Sequence, residues 1–185
     1  IDGFTTLGGE LLREDEKIAF RFDKKSFTNH RILLSEASVT GTENMALFLA
    51  GKDQEAEMFF CAAEPHVCAT LRMLQQMGAI VSGIGTHHVR IRGSQKLRGG
   101  EFTIPPDGLL VGTYGIASLL TNSSLLIKNI DHKELFSFYG ALKRIGAQFE
   151  IQGQTESSVD TAQNALQIYP HKGLRALPKL HTAIY

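Results

Sequence analysis

The sequence predicts an α/β domain built from a unit of about 70 residues that recurs two to three times. Three observations predict it. First, residues 4–9, 74–79 and 142–147 each carry two large apolar residues three apart, then Gly, then a small residue, and Gly8, Gly78 and Gly146 fall 70 and 68 residues apart. Second, Gly41-Thr42-Glu43-Asn44-Met45 and Gly112-Thr113-Tyr114-Gly115-Ile116 open two apolar segments with an offset of 71 residues. Third, the strand-like runs 18–22 and 89–93 are also 71 residues apart. Repetition on this scale is the mark of one supersecondary unit used again.

Each element follows from local chemistry. The apolar pair before each Gly shares one helix face, and the Gly suits a left-handed helix end. A strand follows each such turn, at 10–12, 80–82 and 148–151. Residues 18–22 and 89–93 form the next strands. Val89, Arg90, Ile91 and Arg92 alternate apolar and basic, so one face is buried and one wet. Residues 32–34 and 102–104 are predicted as matching third strands. The helices opened by Gly41 and Gly112 run to Ala50 and Leu120, and strands 58–62 and 125–129 close their units. Pro65 at a first helical position starts the next helix, and Asp131 is placed to cap its counterpart. Residues 152–164 are polar and read as a surface loop; 166–169 resume as a strand. The units are about 1–62, 63–130 and 131–185, and the repeat frame predicts an architecture incomplete at both ends.

Composition narrows the function classes. The chain has 185 residues, 43% hydrophobic and 21% charged, with 19 basic and 19 acidic side chains. Zero net charge gives no general attraction for nucleic acid or for a membrane. No apolar run is long enough to span a bilayer, and no signal peptide is legible. Two cysteines without a CxxC spacing point to a reducing compartment.

The candidate sites are few. Ser38-Val39-Thr40-Gly41-Thr42 is a strand-to-helix turn, whose free N–H groups and partial positive charge suit a phosphate. Plain N-capping by Thr40 or Thr42 explains the same residues. The turn from Asp107 to Thr113 is of the same kind. His87 and His88 are neighbours on a strand and point to opposite faces, and His66, His132, His171 and His181 lack ligand spacing, so neither metal nor cofactor is expected. Cys61 and Cys68 read as buried, inert thiols. Arg90, Arg92, Lys96 and Arg98 read as a solvated face, since no aromatics interleave them. No Walker loop, GxGxxG or GxSxG is present.

Ser38-Val39-Thr40-Gly41-Thr42-Glu43-Asn44, Ala63-Glu64-Pro65-His66, the run 77–86 (MGAIVSGIGT), Pro106-Asp107 and Val111-Gly112-Thr113-Tyr114 together resemble the UDP-N-acetylglucosamine enolpyruvyl transferases. The likeness covers nearly the whole chain, with the phrases in the family's order and spacing. It implies an inside-out α/β barrel of βαβαββ units, and a cleft between two such domains closed by a Cys-bearing loop. It implies a metal-free transfer of the enolpyruvyl group of phosphoenolpyruvate to the 3′-hydroxyl of UDP-N-acetylglucosamine in the cytoplasm, the first committed step of peptidoglycan synthesis. Contact with the sugar nucleotide would fall to Glu36, Ala37, Ser38, Val39 and Thr40, and the acids of the cleft to Glu64 and Asp107. Glu36 stands where the family has Lys, and Leu110 where it usually has Glu. The resemblance puts the reactive Cys upstream of Ile1 and the proton-handling Asp beyond Tyr185, leaving no catalytic residue in this chain. It therefore implies an isolated chain without turnover, whose partners are the two substrates and a second domain of the parent protein. The same fold also admits enolpyruvylshikimate phosphate synthase or a non-catalytic binding module.

Overall fold

The computed structural model describes residues 1–14, 17–22, 30–153 and 163–179. By packing, the chain divides into one compact unit spanning Ile1–Thr103 and a second that begins at Ile104.

The first unit opens with a short helix, α1 (Asp2–Thr6), followed by an antiparallel pair, β1 (Glu10–Glu14) and β2 (Lys17–Arg21). A four-stranded sheet comes next. Strand β3 (Arg31–Leu33) runs parallel to β4 (Glu55–Phe59), with helix α2 (Val39–Ala50) crossing between them. Helix α3 (Pro65–Gln76) then leads to β5 (Ile80–Ser82) and β6 (His88–Arg92). Strand β6 inserts antiparallel between β4 and β5, giving the order β3-β4-β6-β5.

The expected alternation holds on β6. Val89 and Ile91 are fully buried, while His88, Arg90 and Arg92 face solvent. On the wet face Arg31, Glu57 and Arg90 stand in one cross-strand row, where Glu57 pairs with both arginines. The opposite face packs on α2 and α3 through Met45, Leu49, Val67, Leu71 and Leu74, around Ile32, Met58 and Ile91. Positions 67, 71 and 74 lie on one side of α3, as the helical period requires.

The second unit repeats the plan. Helix α4 (Gly108–Leu120) leads to β7 (Leu125–Lys128). A 3-10 turn (His132–Leu135) runs into α5 (Phe136–Ile145), and then come β8 (Phe149–Gln152) and β9 (Ala165–Ile168). The sheet order is β7-β9-β8, all antiparallel. It copies β4-β6-β5: the strand after the first helix meets the last strand of the following hairpin. Leu135, Tyr139 and Leu142 close this core against Leu166 and Ile168.

Several local expectations are corrected. Residues 102–104 form no strand; Pro105 and Pro106 follow directly, and neither has a backbone N–H to donate to a ladder. Helices α2 and α4 start at Val39 and Gly108, ahead of the predicted glycines, because the caps lie earlier, at Ser38 and Asp107. Strand β4 ends at Phe59, since Phe60 turns to a left-handed φ of 61°. Asp131 does act as a cap, but on the 3-10 turn, accepting from Lys133 N–H. The glycines of the three matching phrases are left-handed as predicted, at φ 88°, 109° and 79°. Most of the expected loop 152–164 lies outside the described residues. Three separate sheets and no closed barrel are seen among those residues.

Candidate functional site

Strands β3 and β4 are parallel and in register, with Leu33 opposite Phe59. The Leu34 N–H donates to the Phe59 carbonyl at 3.1 Å. The chain therefore leaves both strands at one edge of the sheet, and the starts of α2 and α3 follow there. The carboxyl edge of parallel strands is where α/β folds build sites.

Ser38 is the hinge of the first turn. Its backbone is extended (φ −84°, ψ 124°), and its Oγ accepts from the Gly41 N–H at 3.1 Å. The cap is thus Ser38, and the expectation of Thr40 or Thr42 in that role is corrected. Thr42 has another task. It is fully buried, its Oγ1 donates to the Ser38 carbonyl at 2.8 Å, and it accepts from the Ala62 N–H at 2.9 Å. That pair of bonds ties the first turn of α2 to the segment leaving β4. Asn44 adds a bond within α2, donating to the Thr40 carbonyl at 2.8 Å.

A cleft of about 300 Å³ opens over this turn, lined by Glu36, Ser38, Thr40, Gly41 and Asn44 and by the first residues of the chain. Ala37 and Val39 are half-buried beside it. The first N–H groups of a helix have no acceptor within it and carry its positive end. The charged side chains among the described residues of the cleft are Asp2 and Glu36, both acidic. Attraction for an anion here rests on the helix start alone.

Glu64 is the residue before α3. It makes no capping bond, and its Oε2 is buried without a hydrogen-bond partner. Asp107 belongs to the second unit, and its Oδ1 accepts from Leu109 and Leu110 N–H at 2.8 and 3.2 Å, capping α4. Sequence reasoning missed its neighbour Glu134. Burial pushes the Glu134 carboxyl above its ordinary range, and repulsion from Asp131 and Asp107 adds to the effect. The signal was the spacing Asp131-x-x-Glu134, which has the form of a capping box.

The remaining candidates behave as inert groups. Cys61 and Cys68 are buried. Burial raises the Cys61 thiol to about 11 and moves Cys68 in the same direction. His87 bonds the Cys61 carbonyl, while His88 stacks on Phe59. His132 is buried between the Tyr139 hydroxyl and the Gln152 carbonyl. No cluster of three or more metal-ligating side chains occurs among the described residues. No helix among them is long and apolar enough to cross a membrane. Arg90 lies against Glu55 and Glu57 on the solvated sheet face.

Comparison with known proteins gives consistent results. The sequence profile described as EPSP synthase (3-phosphoshikimate 1-carboxyvinyltransferase) matches residues 1–181. A UDP-N-acetylglucosamine 1-carboxyvinyltransferase of Bacteroides fragilis is 28% identical over 183 residues, which is 93% of this chain and 42% of that protein. Proteins of the same name from Koribacter versatilis and Borrelia garinii are 32% and 34% identical, over 84% and 80% of this chain and 35% and 34% of theirs. Among solved structures, the enolpyruvyl transferase NikO from Streptomyces tendae overlays with a TM-score of 0.73 at 20% identity, over 94% of this chain and 42% of that one. EPSP synthase from Acinetobacter baumannii gives 0.63 at 15%, over 90% and 38%. This chain thus spans between about a third and two fifths of the length of each of these proteins.

Proposed function

The chain belongs to the EPSP synthase family, and we propose that it forms part of an enolpyruvyl transferase acting on UDP-N-acetylglucosamine. In this reading the parent protein moves the enolpyruvyl group of phosphoenolpyruvate to the 3′-hydroxyl of the sugar nucleotide and releases phosphate, in the cytoplasm and at the start of peptidoglycan synthesis. The observation that carries the reading is the Ser38 turn, a capped helix start at the carboxyl edge of parallel strands with a cleft above it. It suits a diphosphate through backbone donors rather than through side-chain charge. The names of the relatives supply the acceptor: those compared above are UDP-N-acetylglucosamine 1-carboxyvinyltransferases.

The repeated units would then be pieces of an inside-out barrel, and a second domain would complete the cleft. One surface supports further covering. Helix α4 exposes Leu109, Leu110, Tyr114, Ile116 and Leu120, more contiguous apolar side chains than a finished surface usually leaves open. In this account the acid–base groups lie outside the chain, which binds and orients without turning over. A non-catalytic binding module of the same fold is the second reading. It is favoured by Glu36 beside the cleft and by Leu110, which is exposed at the start of α4.

The test is phosphate release from phosphoenolpyruvate by the full-length parent protein. Release with UDP-N-acetylglucosamine and none with shikimate 3-phosphate is expected, together with none from the isolated chain. The opposite acceptor preference would move the parent to the shikimate branch. Silence with both acceptors would favour the binding module.

A further inference from the structure

The chain leaves β4 through a residue in an uncommon conformation. Phe60 has a left-handed φ of 61°, where a bulky side chain crowds its own backbone. The second unit makes the same turn with a different residue. There β7 ends at Lys128, and Asn129 takes φ 56°. Each of the two is followed by a buried residue, Cys61 or Ile130, so they hold equivalent places in the repeat. Asparagine tolerates this conformation better than phenylalanine. The ring at 60 is therefore kept against the preference of the backbone, and strain of this kind gathers at functional sites.

Burial does not account for the ring. Phe60 is 40% exposed, and its ring meets that of His87 edge-on, with centroids 6.4 Å apart. Two bonds fix where it stands. The Leu34 N–H donates to the Phe59 carbonyl, and the Ala62 N–H donates to Thr42 Oγ1. They fasten residues 59–62 alongside both ends of the turn that carries Ser38. Phe60 and Cys61 lie between these two rungs, and Cys61 is fully buried. Phe60 is thus the exposed side chain of this stretch. It follows directly on the rung to Leu34, which lines the Ser38 cleft, while standing outside the lining itself.

We propose that Phe60 is a stacking platform for a ring of the sugar nucleotide, and so a determinant of its affinity. The inference rests on the reading that the Ser38 turn holds the diphosphate. A ring attached to that diphosphate must extend away from the helix start, and the Phe60 side chain offers an aromatic face beside it. Such a face takes either a planar base or the C–H side of a sugar.

Calorimetric titration of the intact chain and its Phe60→Asn variant with UDP-N-acetylglucosamine and with uridine diphosphate, alongside thermal melts, tests this. Phe60→Asn should bind the sugar nucleotide about tenfold more weakly. It should also melt about 2–4 °C higher, since the strain is relieved. Phe60→Tyr, which keeps the ring, should bind within about twofold of the wild type. A loss shared by uridine diphosphate assigns the platform to the base; a loss seen only with the sugar nucleotide assigns it to the sugar. Equal affinity in Phe60→Asn and the wild type overturns the platform and leaves the Ser38 reading standing. A Phe60→Asn variant that melts lower marks Phe60 as a packing residue and overturns it too. No binding by the wild type removes the Ser38 reading, and the platform with it.

Discussion

Ser38 and Glu36 sit two residues apart in the same cleft and pull in opposite senses on an anion. Ser38 fixes the helix start through its bond to Gly41 N–H, while Glu36 places an exposed carboxylate beside it. At surface dielectric, a unit charge a few ångströms from a diphosphate is worth on the order of 1 kcal/mol or more. Glu36→Lys should therefore raise affinity for UDP-N-acetylglucosamine by roughly tenfold at low salt and less at high salt, measurable by calorimetry. Unchanged affinity would mean that residue 36 points away from the nucleotide. Glu134 gives a second residue-scale prediction. Its folded-state pKa is raised, so the native state favours the protonated acid. That contribution is fully present below the unfolded pKa and is lost as pH rises through the folded pKa. Glu134→Gln should melt higher than wild type at pH 7, with the gap closing toward about pH 4; a gap independent of pH would contradict the assigned cause. At this scale the sequence was partly legible. The buried thiols could be read from their apolar neighbours. The crowding of Glu134 against Asp107 could not, because 27 residues separate them in the chain.

Helix starts were placed late from the sequence because Gly-Thr was read as the opening of each helix. The caps lie upstream, at Ser38 and Asp107, and a short polar residue in extended backbone is what a helix start needs. Once α2 begins at Val39, Thr42 falls inside the first turn and becomes its anchor. Its hydroxyl is the acceptor for the buried Ala62 N–H. Thr42→Val keeps the shape and leaves that donor unpaired, which costs about 1–3 kcal/mol. Chemical denaturation should show a loss of this size, with local exchange protection falling at Ala62. A loss below about 0.5 kcal/mol would mean that the tie does not position the turn. Strand failure at 102–104 has an equally local origin. The repeat frame predicted a strand there, and two prolines immediately after it outweighed the frame. The second hairpin was more legible, since β6 carries its alternation openly in Val89, Arg90, Ile91 and Arg92.

At the scale of the whole chain, the repeat found in the glycine spacing reappears as topology. The orders β4-β6-β5 and β7-β9-β8 are the same arrangement made twice, and α1 with β1 and β2 begins the pattern before them. Periodicity could reveal the unit because each copy needs the same apolar pair and the same left-handed Gly. It could not reveal how the sheets are distributed, since strand pairing depends on contacts far apart in sequence. In the proposed function the Ser38 turn, beside its cleft at the carboxyl edge of β3 and β4, is the place where a sugar nucleotide would be held. Ser38→Asp isolates that claim. Aspartate caps a helix as well as serine does and favours the helix dipole, so folding is retained, but its charge occupies the anion's place. The decisive measurement is amide NMR of the chain titrated with UDP-N-acetylglucosamine, beside the Ser38→Asp variant at matched melting temperature. The account predicts saturable shifts at Val39, Thr40 and Gly41 in the wild type and their loss in the variant. Shifts confined to other residues, or equal in both proteins, would contradict it.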